Sequence, residues 1–151
     1  MKSLDIAIVG GSIAGCSAAI LLERAGHNVH VYERSQGGLV GRGGGIGTPQ
    51  PLLELLMEQD LVDRDFPYLG CSSMPFVVRT PSEPTFGYVP WEMPSHYAVF
   101  HWTALWNALR RRVPDDRYHR GSGVARALES PSGRVDLTFE DGSFADADLV
   151  V

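Results

Sequence analysis

Residues 4–15 read LDIAIVGGSIAG, and residues 28–34 read NVHVYER. The first run begins with a short, apolar and β-branched segment, which is typical of a strand buried on both faces. Alanines and leucines then recur at helical spacing up to Gly26, which stands where a helix commonly ends. The segment from Asn28 to Glu33 alternates apolar and polar residues, which predicts the next strand. The sequence therefore predicts an α/β fold that begins with a βαβ unit and a glycine-rich turn.

The residue types in and after this turn suit the binding of a dinucleotide. Gly10 allows a tight exit from the strand, and Gly15 allows the helix to lie close to the sheet. The helix N-terminus presents free N–H groups and a partial positive charge, which both suit a pyrophosphate. Glu33 ends the second strand, where a carboxylate can accept hydrogen bonds from the ribose hydroxyls of an adenosine. These features predict a dinucleotide site rather than a strand–turn–helix that binds nothing.

One position departs from the G-x-G-x-x-G pattern, because Ser12 stands in place of the second glycine. That glycine normally lets the backbone approach the phosphates. Serine is small and polar, and its hydroxyl could donate a hydrogen bond to a phosphate oxygen. The substitution is therefore compatible with the predicted site.

Composition excludes several other classes of protein. The 151 residues carry a formal net charge of −5, which argues against a general nucleic-acid binder. No run of 18 apolar residues predicts a membrane span, and no signal peptide is evident, so the cytoplasm is the expected compartment. The two cysteines and five histidines show neither disulfide nor metal-ligand spacing. No G-x-S-x-G motif is present, so hydrolysis by a serine, a cysteine or a metal receives little support.

A glycine-rich loop is predicted at residues 35–48, directly after the proposed ribose carboxylate. So many glycines are typical either of a flexible linker or of a backbone that passes close to a flat ligand, and the position favours the ligand. Arg42 in this loop could meet a phosphate or carboxylate, and it could equally be a solvated charge.

The middle of the chain is predicted to leave the nucleotide-binding fold. A helix is expected from Pro51 to about Gln59, with its leucines in the core. Strands are expected at residues 74–79, 85–89 and 97–101. Their many prolines suit edge strands that wall a second site better than a buried parallel sheet.

The last third is predicted to return to the first fold. A helix is expected at residues 103–113, with the three arginines Arg110, Arg111 and Arg112 on a solvated face. A β-meander follows at residues 123–129, 134–140 and 144–151. The hairpin signal Asp141-Gly142 joins its last two strands.

Several stretches carry a family resemblance, in order along the chain: residues 8–15, 31–34, 41–46, 139–143 and 148–151. They resemble the N-terminal part of the class A FAD-dependent aromatic hydroxylases, which have the para-hydroxybenzoate hydroxylase fold. Within that family the chain is most similar to the 2,6-dihydroxypyridine hydroxylase-like group. The resemblance implies a Rossmann-like FAD/NAD(P)-binding parallel sheet, a β-meander and the start of a substrate-domain sheet. The implied division is residues 1–71 and 102–151 for the FAD-binding part and 72–101 for partial substrate-domain strands.

The same resemblance implies which residues would bind FAD. Glu33 would take the adenosine ribose, with Arg34 beside it. Gly45 and Ile46 would lie towards the flavin, and the backbone of Val124 would meet the adenine. The pyrophosphate would be held by the residues of the turn: Gly10, Ser12, Ile13, Ala14 and Gly15.

The implied activity is hydroxylation of a small aromatic or heteroaromatic substrate by O2 through a flavin C4a-hydroperoxide, with NAD(P)H as the transient electron donor. The cofactor supplies this chemistry, so no side chain is assigned a catalytic role and no metal is expected. A homodimer is the candidate assembly. An NAD(P)-dependent reductase or dehydrogenase remains the alternative, because the βαβ unit alone does not distinguish them. An inactive fragment of a flavoprotein is the other alternative.

Two departures from the family pattern bear on these expectations. Trp102 stands where many members carry an arginine that reaches the FAD phosphates, although the 2,6-dihydroxypyridine hydroxylase-like group tolerates an aromatic residue there. The Gly-Ala-Asp-Gly and Gly-Asp segments of the family would lie beyond Val151. We therefore expect a fragment that binds FAD weakly or not at all on its own.

Overall fold

The computed structural model describes residues 2–37, 39 and 41–151, and the chain forms two units. The first unit runs to Gly43 and resumes at Trp102, and the second is Gly44–His101. A 3-10 turn lies at Asp115–Arg117. In chain order the helices and strands are β1 (Asp5–Val9), α1 (Ile13–Arg24), β2 (Asn28–Glu33), β3 (Gly45–Pro49), α2 (Gln50–Glu58), β4 (Leu69–Thr80), β5 (Glu83–His101), α3 (Trp102–Arg110), β6 (Tyr118–Arg120), β7 (Val124–Glu129), β8 (Val135–Phe139), β9 (Phe144–Ala147) and β10 (Leu149–Val150).

The first unit is built on a four-stranded parallel sheet with the order β10-β1-β2-β6. The βαβ unit that the sequence predicts is present at β1, α1 and β2, and the α/β fold class is confirmed. Gly26 follows the helix with a φ of +90°, which only glycine adopts readily. Strand β6, by contrast, has no counterpart among the predicted elements.

The final predicted strand, residues 144–151, is in fact two strands in two different sheets. Residues of β9 pair with β8 in the meander, whereas β10 pairs with β1 in the parallel sheet. Asp148 lies between them and makes the change of sheet possible. Its N–H donates to the carbonyl of Asp5 over 2.8 Å, and its carboxylate accepts from the N–H of Asp5 over 2.9 Å.

The β-meander of β7, β8 and β9 packs against β1 through a buried cluster. The cluster contains Ala7, Leu137, Phe139 and Ala147. Side chains alternate across a strand, so Ile6 and Ile8, which are also buried, face the opposite side of the sheet from Ala7. Outside the apolar cluster, the Arg134 guanidinium bonds to three carboxylates, those of Asp5, Asp146 and Asp148.

Arg110 is buried, which contradicts the prediction that it lies on a solvated face. It is 8% exposed, and its guanidinium carbon lies 4.0 Å from the centre of the Tyr118 ring. The guanidinium also donates to the carbonyl of Val113 over 2.7 Å and to the carboxylate of Asp115. The chain folds back on itself after Val113, so residues that follow the helix enclose this arginine.

The second unit has a three-stranded antiparallel sheet with the order β3-β5-β4. Strand β3 was predicted to be loop, and the two predicted strands at 85–89 and 97–101 belong to one irregular strand, β5. Pro90 and Pro94 occur where β5 pairs with β4 alone, because β3 pairs only with Tyr97–His101. That part of β5 has a free edge, which is where a strand tolerates proline.

Helix α2 begins and ends close to its predicted limits, but its leucines are not all in the core. Leu53 is 1% exposed, whereas Leu52 and Leu55 are 46% and 48% exposed. The β4–β5 hairpin likewise leaves large apolar side chains accessible, among them Phe86 and Trp91.

Two histidines stack at the β2–β6 edge of the parallel sheet. The Nδ1 atom of His30 lies 2.9 Å from Nε2 of His119, and Arg117 contacts Nε2 of His30 over 2.8 Å. Arginine can only donate, so Nε2 of His30 accepts, and Nδ1 of His30 carries the proton that it shares with His119. Burial lowers the pKa of both rings, and the positive charge of Arg117 lowers both further, while Asp116 opposes the shift.

In the described part of the chain, no helix combines the length and the apolar character needed to cross a membrane. No group of three or more histidine, cysteine, aspartate or glutamate side chains among residues 2–37, 39 and 41–151 could hold a metal ion.

Candidate functional site

The glycine turn between β1 and α1 is closely packed. Gly10 has a φ of +109°, a conformation that L side chains rarely adopt, and its N–H donates to the carbonyl of Tyr32 over 2.9 Å. A Cβ atom added to Gly15 would stand 1.9 Å from the carbonyl oxygen of Gly10. The start of helix α1 therefore lies directly against the backbone of the glycine turn. A side chain larger than that of glycine at position 15 would not fit between them.

The N-terminus of α1 is not capped by its own side chain. Ser12 is the N-cap residue, its hydroxyl makes no capping hydrogen bond, and no acidic residue lies in the first turn. The first intrahelical bond runs from the N–H of Cys16 to the carbonyl of Ser12. The preceding N–H groups, of Ile13, Ala14 and Gly15, are thus left unused by the helix and carry the positive end of its dipole. An anion is the natural partner for such an arrangement.

Glu33 is a buried carboxylate, 6% exposed, at the end of β2. Its two oxygens accept from the N–H groups of Gly11, over 2.8 Å, and Ser35, over 2.9 Å. Burial by itself raises the pKa of this carboxyl, but the hydrogen bonds from Ser35 and Gly11 outweigh burial, and the pKa lies below its usual value. The group is therefore ionised at neutral pH. The Ser35 side chain also hydrogen-bonds to this carboxylate. A carboxylate has about four acceptor positions, so about one remains after these three bonds.

A cavity of about 290 Å³ adjoins this carboxylate. A volume near the lower end of the usual range for ligand sites suits part of a dinucleotide better than all of it. Four of the predicted cofactor residues lie together in its wall, although their positions in the sequence are far apart. The lining residues are Val9, Gly10, Tyr32, Glu33, Arg34, Ser122, Gly123, Val124 and Glu140.

Five of these lining residues were not among the predicted cofactor residues: Val9, Tyr32, Ser122, Gly123 and Glu140. Val9 and Tyr32 adjoin predicted residues, whereas the other three lie far from them in sequence. A Cβ atom on Gly123 would stand 2.6 Å from a carboxylate oxygen of Glu140, and the N–H of Ser122 donates to the carbonyl of Glu33. These contacts join β7 and the end of β8 to the end of β2. No local sequence signal marks them, because they depend on long-range pairing.

A second set of contacts lies behind the turn, at Gly11. Its carbonyl oxygen accepts from Nε1 of Trp106 and from the hydroxyl of Tyr118, each over 2.9 Å, and more weakly from Sγ of Cys16. A Cβ atom on Gly11 would stand 2.0 Å from the Tyr118 hydroxyl. This close contact explains why position 11 is glycine, although the G-x-G-x-x-G pattern allows any residue there.

The glycine-rich loop is held at its end by the first turn of α3. Gly43 has a φ of +78°, and a Cβ atom there would stand 2.6 Å from the indole of Trp102. The Thr103 hydroxyl donates to the carbonyl of Arg42 over 3.2 Å. Gly38 and Val40 of this loop lie outside the described residues. Trp102 thus packs on the loop backbone at the position where the family resemblance leads us to expect an arginine.

The remaining predicted residues, Gly45 and Ile46, begin β3 in the second unit, where they pair with His101 and Phe100. The Glu33 carboxylate and the N-terminus of α1 suit a ribose and a pyrophosphate, respectively. The fold and these groups together define a Rossmann-type nucleotide-binding unit.

Comparisons with known proteins agree with this definition. A family model described as an NAD(P)-binding Rossmann-like domain matches residues 8–47. The 2,6-dihydroxypyridine 3-monooxygenase of Paenarthrobacter nicotinovorans is 36% identical over 148 residues, which cover 97% of this chain and 35% of that protein. These matches, with the structures below, agree with the predicted resemblance of the chain to the N-terminal part of FAD-dependent monooxygenases of the 2,6-dihydroxypyridine hydroxylase-like group.

Two solved structures illustrate the shared fold. The 2,6-dihydroxypyridine-3-hydroxylase from Arthrobacter nicotinovorans matches with a TM-score of 0.83 and 32% identity, over 99% of this chain and 36% of that one. Klebsiella pneumoniae HpxO, solved with FAD and uric acid, matches with a TM-score of 0.76 and 20% identity, over 97% of this chain and 38% of that one. The chain therefore spans little more than a third of the length of these relatives.

Proposed function

We propose that the first unit binds the ADP half of FAD, as part of an FAD-dependent, NAD(P)H-using monooxygenase of a small aromatic or heteroaromatic substrate. The observation that carries the proposal is the buried, ionised Glu33 in the wall of the 290 Å³ cavity. Two of its acceptor positions are used by backbone N–H groups and a third by the Ser35 side chain, and the remaining position would accept from a ribose hydroxyl.

The pyrophosphate site is supported by the uncapped N-terminus of α1. The N–H groups of Ile13, Ala14 and Gly15 and the hydroxyl of Ser12 would donate to phosphate oxygens. The backbone of Val124, in the wall of the same cavity, would meet the adenine, and Arg34 would flank the ribose. These residues would together hold the ADP group of the cofactor.

The choice of FAD over NAD(P) rests on the relatives. The family model matching residues 8–47 is described as NAD(P)-binding and does not by itself indicate FAD. The 36% identical relative is a monooxygenase, and HpxO, which shares the fold, was solved with FAD. FAD, when bound, supplies the redox chemistry; this chain would bind it, orient it and exclude water from its ADP half. An NAD(P)-dependent reductase is not favoured.

The proposed substrate is a hydroxylated pyridine or a similar small ring, because the 36% identical relative is a 2,6-dihydroxypyridine 3-monooxygenase. That Gly45 and Ile46 lie towards the flavin, and that residues 72–101 are substrate-domain strands, are also proposals. Homodimer formation remains a further proposal.

The test begins with the protein purified from its native source. We expect bound flavin in its visible spectrum, and NAD(P)H oxidation that a hydroxylated pyridine stimulates. A colourless protein that retains NAD(P) instead of FAD would refute the proposal.

A second experiment tests the nucleotide site in this chain directly. The 15N-labelled chain is titrated with ADP and, separately, with adenosine, and amide shifts are followed by NMR. We expect ADP to move the amides of residues 12–15 and those lining the cavity. Adenosine should move only the cavity amides, because it lacks phosphates. Shifts confined to residues outside the cavity and turn would contradict the assignment.

A further inference from the structure

The peptide groups on both sides of Gly11 are fixed from opposite directions. Its N–H donates to Glu33, the proposed ribose ligand, over 2.8 Å. Its carbonyl accepts from the indole N–H of Trp106 and the hydroxyl of Tyr118. These two donors come from α3 and β6, which are distant from the turn in sequence.

A trans peptide is planar, and its N–H points opposite to its carbonyl. The carbonyl of Gly11 belongs to the same peptide as the N–H of Ser12. The two strong donors, Trp106 and Tyr118, hold the carbonyl towards the interior, and the thiol of Cys16 is a weaker third donor to the same oxygen. The N–H of Ser12 therefore points the other way, at the start of α1.

We propose that Trp106 and Tyr118 are positioning residues for the phosphate-binding turn: they hold the Gly11 carbonyl so that the Ser12 N–H is aimed at the nucleotide pyrophosphate. The inference rests on the proposed function, because it concerns the same site. It assigns a role in phosphate binding to two side chains that do not themselves line the cavity.

Both side chains are suited to a fixed hydrogen bond. Trp106 is 3% exposed and Tyr118 is 4% exposed, so water does not compete well for their donors. The Arg110 guanidinium lies 4.0 Å from the centre of the Tyr118 ring and restrains it. Burial raises the pKa of Tyr118 to about 12, so the hydroxyl keeps its proton at physiological pH.

The test compares Trp106→Phe and Tyr118→Phe with the wild-type chain. Each variant removes one donor and keeps an aromatic ring in place. Tyr88→Phe, at a residue that is 49% exposed in the second unit, is the matched control. Affinities for ADP and for adenosine are measured by NMR titration, and unfolding temperatures are recorded for every variant.

We expect each variant to weaken ADP binding by roughly threefold to tenfold, the range for one lost hydrogen bond. Adenosine affinity should stay within about twofold, because the cavity itself is unchanged. The losses of the two single variants should not simply add in the double variant, because both donors act on one oxygen. The control should bind both ligands like the wild type. A role in stability alone would not change the ratio of the two affinities.

Equal weakening of ADP and adenosine, or no weakening of either, would overturn the inference while leaving the proposed site intact. Wild-type chain that binds neither ligand would overturn the proposed site and the inference with it. The Ser12 amide resonance gives a measurement without ligand. It should move in both variants and not in Tyr88→Phe, and an unmoved resonance would count against the positioning role. Tyr118→Phe keeps the test available if Trp106→Phe does not fold.

Discussion

Replacing Gly15 by alanine should destabilise the first unit, although alanine is the better helix former. A Cβ atom at Gly15 would stand 1.9 Å from the carbonyl oxygen of Gly10 and 3.3 Å from Cγ2 of Ile8. Ordinary contact begins at 3.4 Å, so the helix and the turn would have to separate by about 1.5 Å, the difference between 3.4 and 1.9 Å. The obstructing atom belongs to the backbone, so no side-chain rotation can relieve the overlap.

Two opposing effects set the size of the loss. Overpacking of this kind typically costs about 1–3 kcal/mol. Alanine has a higher helix propensity than glycine, and this by itself would stabilise the helix by up to about 1 kcal/mol. We expect a net loss of about 1–2 kcal/mol in the free energy of unfolding, together with weaker ADP binding, because the displaced helix carries the phosphate-binding N–H groups.

Urea unfolding, followed by circular dichroism and by NMR of first-unit amides, measures the loss. Gly37→Ala is the matched control, because a Cβ atom there would meet nothing within 4 Å. It should change the free energy of unfolding by less than about 0.5 kcal/mol. If Gly15→Ala were as stable as the wild type and bound ADP equally well, the close approach of α1 to the turn would be refuted.

Three further predictions follow from the same structure. Glu33→Gln should weaken adenosine binding by roughly tenfold or more, because it removes a charged acceptor, as NMR titration would show. The lowered pKa values of His30 and His119 predict stability that is constant above the unfolded value of about 6.5 and declines as the pH falls below it. The unfolded chain then takes up protons more readily than the folded one, and urea midpoints between pH 8 and pH 5 measure the decline. Leu137→Ala should cost about 2–5 kcal/mol, because this side chain is 0% exposed, whereas Leu128→Ala, at 48% exposed, should cost far less.

Each of these has a result that would contradict it. Glu83→Gln, at an exposed residue in the second unit, should leave adenosine affinity unchanged. If Glu83→Gln weakened adenosine binding as much as Glu33→Gln, the proposed role of Glu33 would be contradicted. A urea midpoint that stays flat down to pH 5 would contradict the histidine pairing, and His119→Gln should reduce the slope. Equal losses for Leu137 and Leu128 would contradict the packing of the meander on β1.

The βαβ unit could be predicted because its signals are local. The strand, the turn and the helix end each depend on residues within a few positions, such as Gly10 and Gly26. The proposed ribose carboxylate, Glu33, could be placed for the same reason. The α/β class follows from these elements alone.

What the sequence did not reveal depends on distant partners. Strand β3 contains two glycines and a proline, and it is extended only because β5 pairs with it. Arg110 is indistinguishable in the sequence from Arg111 and Arg112, and it is buried because Asp115 and Tyr118 fold back over it. The bonds from Trp106 and Tyr118 to Gly11 likewise join residues 95 and 107 positions apart.

The pairing of β1 with β10 has a consequence for the order in which the protein forms. Asp5 and Asp148, which bond to each other, are separated by 143 residues. A ribosome adds about 5–20 residues per second, so β10 leaves it on the order of 10 s after β1. The second unit, which is continuous in sequence, can fold during that interval. Strand β1, which leads into the glycine turn, therefore gains its second neighbour only after β10 has been made.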